Sequence, residues 1–237
     1  MGWGEKRCPK GNGSCGADVA GNHHAAYLFD LDGTLVDTAP DIHVALNHAL
    51  SGAGIAPVSE ALTRHWVGHG VRAMLTAAFD HHDLPAEDSR FEEAVAALSA
   101  HYEAHVADRS RPYPKVVSTL EKLAERAPLA VVTNKLSRFT LPLLEALDLR
   151  RHFAAVISHD NSPKPKPAPE PAFLACERLE CAPPEALFVG DSATDVACAR
   201  AAGCPVVVFR YGYNHGIDPE SLGADAVFDS FEELVAV

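Results

Sequence analysis

The fold is decided by the stretch AAYLFDLDGT at residues 25–34. It is a short apolar run that ends in carboxylates and a glycine, as a buried parallel strand does where it opens into a loop. The same form recurs in PLAVVTN (128–134), AAVISHD (154–160), EALFVGD (185–191) and PVVVFR (205–210). Because each of these is an apolar run followed by a polar end, we expect five strands of one sheet.

Helical patterns lie between these stretches, at residues 137–147, 169–180 and 192–202, and Gly203 ends the last of them. Strands that alternate with helices predict an α/β fold with a doubly wound, Rossmann-like parallel sheet. In such sheets ligands bind at the carboxyl ends of the strands. The polar residues that follow each apolar run are therefore the first candidates for a functional site.

One long segment, residues 41–108, interrupts the alternation. Apolar residues recur there at helical spacing, first from Ile42 to Leu50 and then in two later runs, and strand patterns are nearly absent. The flanking sequences, DTAPD and RSRPYP, are rich in prolines and turn-forming residues, as linkers into an inserted domain would be. We therefore predict a disordered leader at 1–24, an α/β core at 25–40 and 109–237, and a helical cap at 41–108.

The composition excludes several classes of partner. The chain has 237 residues, with 20 Lys and Arg against 32 Asp and Glu, and a net charge of -12. So acidic a surface repels nucleic acid and anionic membranes. The six cysteines contain no CxxC pair, and no run approaches the 18 or more apolar residues that a membrane-spanning helix needs. These features predict a soluble, cytoplasmic protein with reduced thiols, either a monomer or a homodimer.

Two pairs of acidic residues end predicted strands. Asp30 and Asp32 follow the first, and Asp191 and Asp195 follow the fourth. Like charges so close together are unfavourable unless a cation or a proton relieves them, and oxygen ligands from two loops suit Mg²⁺. The alternatives are a solvated turn for the first pair and a helix N-cap role for Asp191.

Three further polar residues lie between these two acidic loops in the sequence. Thr133 and Asn134 end the second predicted strand, and Lys166 lies in the proline-rich stretch SPKPKPAPEP. So acidic a chain needs a compact cation to hold an anionic ligand. A strand-end hydroxyl satisfied by backbone and a surface lysine are the alternatives.

Together these residues resemble the haloacid dehalogenase-like superfamily of phosphohydrolases. The four motifs of that family occur in order over residues 25–237, as DLDGT (30–34), the threonine of VVTN (Thr133), the lysine of KPAP (Lys166) and GDSATD (190–195). A helical insert between the first and second motifs resembles the subclass with a C1 cap. The loops are also similar to those of bacterial phosphoglycolate phosphatases, in DTAPD (37–41), RHWVGHG (64–70), RPYPKVVSTL (111–120), TNK (133–135), KPAPEP (166–171) and RYGYNHG (210–216).

The resemblance implies a Mg²⁺-dependent phosphatase of small anionic monoesters, with 2-phosphoglycolate as the leading candidate substrate. Asp30 would be the nucleophile that forms an aspartyl phosphate, and Asp32 would be the acid that protonates the leaving group and then the base that activates water. For these roles Asp30 stays ionised and Asp32 retains a proton. A sugar phosphomutase and a non-catalytic, phosphate-binding regulatory module are the alternative functions.

The same resemblance implies a ligand set. A carboxylate oxygen of Asp30, the main-chain carbonyl of Asp32 and the carboxylate of Asp191 would hold Mg²⁺. Asp195 would orient the neighbouring groups without touching the ion. Thr133, Asn134 and Lys166 would bind the phosphate.

The cap offers three candidates for substrate specificity. His69 lies between Gly68 and Gly70, where it could contact the substrate. Arg64 and Arg72 could each hold a carboxylate through two parallel hydrogen bonds. The alternative for both arginines is a place on an exposed helix surface.

Overall fold

The computed structural model describes residues 24–85 and 87–237. The leader predicted over residues 1–24 lies, apart from His24, outside the described residues. Within the described residues the chain forms eight strands: β1 (Ala26–Phe29), β2 (Val36–Asp37), β3 (Arg111–Pro112), β4 (Leu129–Val132), β5 (Ala155–Ile157), β6 (Ala186–Gly190), β7 (Val206–Phe209) and β8 (Ala226–Phe228). It also forms eight α-helices: α1 (Ala39–Gly52), α2 (Glu60–Trp66), α3 (Val71–His81), α4 (Phe91–Ala104), α5 (Val116–Ala124), α6 (Ser137–Ala146), α7 (Glu170–Arg178) and α8 (Ala193–Ala202).

Six strands form one parallel sheet in the order β5-β4-β1-β6-β7-β8. The sheet confirms the predicted α/β fold and all five strands that the apolar runs predicted. The strand order reverses direction around β1, with β4 on one side and β6 on the other. A crevice forms at such a reversal outside the carboxyl ends of the strands, so the residues that follow β1, β4 and β6 converge there.

Both faces of the sheet are covered. Along β1, Tyr27 and Phe29 face one hydrophobic cluster, and Ala26 and Leu28 face the other, because successive side chains of a strand point to opposite sides. Burial on both faces explains why the strands are continuous apolar runs rather than alternating ones. Three buried free cysteines, Cys176, Cys198 and Cys204, fill the second cluster.

The helices α1 to α4 occupy the segment for which a cap is predicted. Helices α1 and α4 pack together through buried apolar residues such as Leu46, Leu50 and Leu98, in register with the helical spacing of the sequence. The two linkers to this segment pair with each other as the antiparallel strands β2 and β3.

Asp41, at the start of α1, also joins the two linkers. Its buried carboxylate accepts hydrogen bonds from the backbone N–H of Arg109 at 3.0 Å and of Ser110 at 2.7 Å. The hydroxyl of Ser110 donates a further bond at 2.6 Å. The entry and exit of the helical segment are therefore held together by one acidic side chain.

Some elements were not predicted: the edge strand β8, the short pair β2–β3, and α5, which follows the proline-rich linker. Within residues 24–85 and 87–237, none of the helices has the length and apolarity needed to cross a bilayer.

Candidate active site

The predicted site residues meet at the carboxyl edge of the sheet. Asp30 directly follows β1, Thr133 follows β4, and Asp191 follows β6. Because these three strands are neighbours and parallel, their ends lie side by side. All three side chains line one cavity, as Lys166 and Asp195 also do.

Lys166 connects two of the acidic residues. The residue is 4% exposed, and its ammonium group lies 2.7 Å from Oδ1 of Asp30 and 2.6 Å from Oδ1 of Asp195. The two carboxylates raise the pKa of Lys166 against the opposing effect of its burial, so the lysine is charged. A buried ammonium between two carboxylates is stabilised only because both partners are in direct contact with it.

Asn134 holds the loop that carries Lys166. Its side-chain amide donates to the carbonyl of Lys166 at 3.0 Å, and its oxygen accepts from the N–H of Lys166 at 2.9 Å. Asn134 lines the cavity, but both ends of its amide contact this backbone. The structure thus gives the residue a positioning contact that the sequence analysis did not anticipate.

Asp191 is enclosed by hydrogen bonds and by glycines. It accepts from the hydroxyl of Thr34 at 2.7 Å and from the backbone N–H of Tyr213. A Cβ added to Gly212 would lie 2.1 Å from the Cβ of Asp191, and one added to Gly33 would lie 2.4 Å from its Oδ2. These glycines let the backbone approach the carboxylate more closely than any other residue would.

The acidic residues fit a divalent cation. Carboxylate oxygens of Asp30, Asp191 and Asp195 lie within 4.8 Å of one another, and in the described residues they are the one group of three or more ligating side chains so arranged. The cluster holds three buried carboxylates against the single ammonium of Lys166. Hard oxygen ligands with an excess of negative charge are the donor set that Mg²⁺ takes.

The protonation of the cluster reflects this imbalance. Burial raises the pKa of Asp30 to about 7, although the charge of Lys166 opposes the shift. Burial and the neighbouring Asp195 and Asp30 raise the pKa of Asp191 well above its usual range. Asp195 is also buried, but the charge and hydrogen bond of Lys166 and the bond from Ser192 lower its pKa. The expectation that Asp30 is ionised therefore requires a further positive charge beside it.

Asp32 lies apart from this cluster and has its own cation. The ammonium of Lys135, nearly buried, lies 2.8 and 2.9 Å from the two oxygens of Asp32. The hydroxyl of Thr38 donates to Oδ1 of Asp32 at 2.6 Å. Lys135 also lies over the ring of Tyr102, a residue of α4, at 4.9 Å from the ring centroid. Asp32 is thus held at the boundary between the sheet and the helical segment.

The cavity above these residues has a volume of about 840 Å³, including its open mouth. Its wall opposite the carboxylates comes from α1, the end of α2 and the loop after it, α3 and α4. The apolar side chains of this wall include Ile42, Trp66, Val71, Met74 and Leu98. A pocket of mostly apolar walls with a few converging polar groups is typical of a small-molecule site.

Of the three specificity candidates, His69 alone lines this cavity. Positive φ angles of 110° at Gly68 and 88° at Gly70 shape the loop that presents it. Arg64 forms two hydrogen bonds of 2.8 Å to the carboxylate of Asp37 and also pairs with Glu60. Arg72 is exposed and pairs with Glu92. Both arginines pair with carboxylates of the protein and neither lines the cavity, an arrangement that favours the alternative of a place on the helix surface.

Sequence reasoning missed three residues of the site: Lys135, Tyr213 and His215. Lys135 directly follows Thr133 and Asn134, so its position in the chain was a usable signal. Tyr213 contributes a backbone N–H to Asp191, and residue type gives no signal for that contact.

Comparison with known proteins places this architecture among phosphatases. Residues 27–209 match the haloacid dehalogenase-like hydrolase family. The chain is 38% identical over 214 residues to a phosphoglycolate phosphatase from Chromobacterium violaceum, covering 90% of this chain and 95% of that protein. It is 40% identical over 213 residues to one from Thiobacillus denitrificans, covering 88% and 92%. The crystal structure of a predicted phosphoglycolate phosphatase from Haemophilus somnus superposes with a TM-score of 0.86 at 33% identity, covering 91% of this chain and 98% of that one.

Proposed function

We propose that this chain, which belongs to the haloacid dehalogenase-like hydrolase family and is a phosphatase, hydrolyses 2-phosphoglycolate to glycolate and inorganic phosphate. The proposal on the substrate is supported by relatives named phosphoglycolate phosphatase that align over most of both chains. It is also supported by a cavity large enough for a small ester, with its polar groups concentrated at the sheet edge.

The reaction begins at Asp30. A carboxylate oxygen of Asp30 attacks phosphorus, the bond from phosphorus to the glycolate oxygen breaks, and an aspartyl phosphate forms. Asp32 donates a proton to the departing oxygen and, as a carboxylate, then takes one from the water that hydrolyses the intermediate. The place of Asp30 on the cavity wall, next to the ammonium of Lys166, supports its assignment as nucleophile.

The buried acid cluster supports a magnesium ion as cofactor. Asp30, Asp191 and the main-chain carbonyl of Asp32 would hold it, and Asp195 would act by fixing Lys166. When bound, the ion supplies positive charge that keeps the nucleophile ionised and offsets the charge of the phosphoryl group. The space kept open around Asp191 by Gly33 and Gly212 fits a ligand set that must converge tightly.

Thr133 and Lys166 bind the phosphoryl oxygens in this proposal. Both are buried at the cavity, where hydrogen bonds and charge act more strongly than in water. Asn134 takes the role of a positioning residue, because its amide fixes the backbone of Lys166. Phosphoryl transfer depends mainly on positioning and charge, so the placement of these groups is the main contribution of the protein.

The segment 41–108 would work as a cap over the core formed by 25–40 and 109–237. Its apolar side chains roof the cavity, and its two linkers are tied by β2–β3 and by Asp41. A cap of this kind excludes bulk water while the phosphoryl group is transferred and opens to release glycolate.

The observation that carries the proposal is the convergence of Asp30, Asp191, Asp195 and Lys166 at one wall of the cavity. The test is a phosphate-release assay over a panel of small phosphoesters, run with Mg²⁺ and with EDTA, on the wild type and on Asp30→Asn. We expect the highest kcat/KM for 2-phosphoglycolate, loss of activity in EDTA, and no turnover by the variant.

Two results would contradict the proposal in different ways. Phosphate release by purified Asp30→Asn protein at the wild-type rate would reject the nucleophile. Isomerisation of a sugar phosphate without phosphate release would favour a phosphomutase, which shares the pair formed by Asp30 and Asp32.

A further inference from the structure

Two imidazole rings meet at the cavity, one from each side of it. His69 lies in the loop between α2 and α3, and His215 lies in the loop after β7. Their rings are stacked, with centroids 5.0 Å apart and an interplanar angle of 29°. Both residues line the cavity that holds the carboxylate cluster. This histidine pair thus joins the helical segment to the α/β core at the place where a substrate would lie.

Unlike the two lysines of the cavity, the histidine pair has no acidic partner among the described residues. Among the described residues that line the cavity, Lys135 is paired with Asp32, and Lys166 is paired with Asp30 and Asp195. None of the arginines in the described ranges lines it. The imidazoles are therefore the remaining groups that can offer positive charge to a second anionic group of a ligand.

The hydrogen bonding of His215 shows which of its nitrogens is already occupied within the protein. Its Nδ1 lies 2.8 Å from the carbonyl oxygen of His65, and because a carbonyl only accepts, Nδ1 carries a proton. The other nitrogen, Nε2, lies toward the loop of His69: a Cβ built on Gly68 would be 3.7 Å from it. Both nitrogens of an imidazolium are donors, so Nε2 is the position of this ring left for an anionic ligand.

The second ring of the pair, that of His69, favours a different protonation state from an imidazolium. Burial and the neighbouring His215 lower its pKa, so this ring favours the neutral form, which retains one N–H donor. Each ring of the pair faces the other. The ring of His65 also faces His215, with the two ring centroids 6.0 Å apart. Two imidazole donors, one on each side of the cavity, can together bind the two oxygens of a carboxylate.

We propose that His69 and His215 bind the carboxylate of the substrate, so that the enzyme selects phosphoesters of short hydroxy acids over esters of the same size that lack an acid group. This inference rests on the proposed phosphatase function, and it adds the feature that recognises the end of the substrate opposite the phosphate. His215 is the new member of the pair, contributed by the core rather than by the helical segment.

The test compares two substrates that differ at one end only. 2-Phosphoglycolate carries a carboxylate where 2-hydroxyethyl phosphate carries a hydroxymethyl group. His215→Phe and His69→Phe keep an aromatic ring for stacking but remove the N–H donors. His101→Phe is the matched control, because His101 lies on α4 and is absent from the cavity lining.

We expect kcat/KM for 2-phosphoglycolate to fall about 10- to 100-fold in His215→Phe, mainly through KM, as for loss of a hydrogen bond to a charged group. A smaller loss of the same kind is expected for His69→Phe. For 2-hydroxyethyl phosphate both variants should stay within about threefold of the wild type, and the control should match the wild type on both esters.

Each other outcome is decisive. If the variants lose activity equally on both esters, or keep full activity on both, the pair does not bind the carboxylate. This inference then fails while the phosphatase assignment stands. If the wild-type protein prefers 2-hydroxyethyl phosphate, the cavity does not bind the carboxylate. The inference then fails together with the proposed substrate. If it releases phosphate from no monoester, the proposed function itself fails.

Discussion

Both carboxylate oxygens of Asp32 lie within 2.9 Å of the ammonium group of Lys135. The two residues are far apart in the chain and meet because the loops after β1 and β4 lie side by side. Lys135 also contacts the ring of Tyr102 in α4, so the proposed acid and base of the reaction is held by a residue that contacts the helical segment. The orientation of Asp32 therefore depends on Lys135.

We predict that Lys135→Met lowers kcat by about 100-fold, because Asp32, then held by the hydroxyl of Thr38 alone, is free to turn away from the leaving oxygen. KM should change little, since Lys135 is not one of the proposed phosphate ligands. Steady-state kinetics with 2-phosphoglycolate would measure both. Lys164→Met is the matched control, because Lys164 forms an ion pair with Glu170 on the surface. A kcat of Lys135→Met equal to that of the control would show that Asp32 needs no such anchor.

We predict that Asp30→Asn stabilises the metal-free protein while abolishing turnover. Asp30 has a pKa raised by burial to about 7, against an unperturbed 3.8. Between these values the folded state binds more protons than the unfolded state, so stability falls as pH rises through the window. In EDTA the Tm of the variant should exceed that of the wild type by roughly 5 °C at pH 8, with a smaller difference at pH 5.

The effect of Mg²⁺ on the Tm of the same two proteins completes this test. Addition of Mg²⁺ at pH 8 should raise the Tm of the wild type, because a ligand that binds only the folded state stabilises it. Asp30→Asn should respond much less. A Tm difference between the two proteins that does not depend on pH, or an equal response to the ion, would argue against an uncompensated charge at Asp30.

We predict that Gly212→Ala disrupts the cation site for purely steric reasons. The new Cβ would lie 2.1 Å from the Cβ of Asp191, which cannot yield without leaving the cluster. Affinity for Mg²⁺, measured from the concentration dependence of phosphate release, should fall by at least about tenfold. Gly52→Ala is the control, since nothing lies within 4 Å of the Cβ it would add. If both alanine variants bind the ion as the wild type does, the close approach at Gly212 has no function.

We predict that Asp41→Asn loosens the connection between the two linkers. The amide keeps one acceptor but turns N–H groups toward the donors of Arg109 and Ser110, which leaves buried donors unsatisfied. The free energy of unfolding should fall by about 1–3 kcal/mol, as measured by urea denaturation. Asp80→Asn, an exposed change on α3, should leave it unaltered. Equal midpoints for the two variants would show that the linkers need no such tie.

The sheet was largely predictable, because its strands are buried on both faces and read as uninterrupted apolar runs. The edge strand β8 escaped since its three residues are only half buried and give a weak signal. Helix α5 escaped because prolines at 112 and 114 indicate a linker up to the residue at which the helix begins. The strands β2 and β3, of two residues each, are defined by their pairing rather than by local sequence.

The site was predictable to the extent that its residues follow strands. Asp30, Thr133 and Asp191 are brought together by strand order alone. The pairing of Lys135 with Asp32 could not be predicted, because it depends on which loops become neighbours. The surroundings of the two arginine candidates could not be predicted for a related reason. The sequence shows a guanidinium, but only the structure shows that Arg64 pairs with Asp37 and Arg72 with Glu92.

Tyr213 contacts both halves of the molecule. Its N–H donates to Asp191, while its hydroxyl accepts from the N–H groups of Thr38 and Ala39 at 2.9 Å and donates to Asp37. One rigid side chain thus spans from a proposed ion ligand to the first residues of α1. In the proposed reaction, release of the ion and opening of the segment 41–108 would both require Tyr213 to move. We therefore expect the ion to leave slowly while that segment is closed over the cavity and faster once it opens.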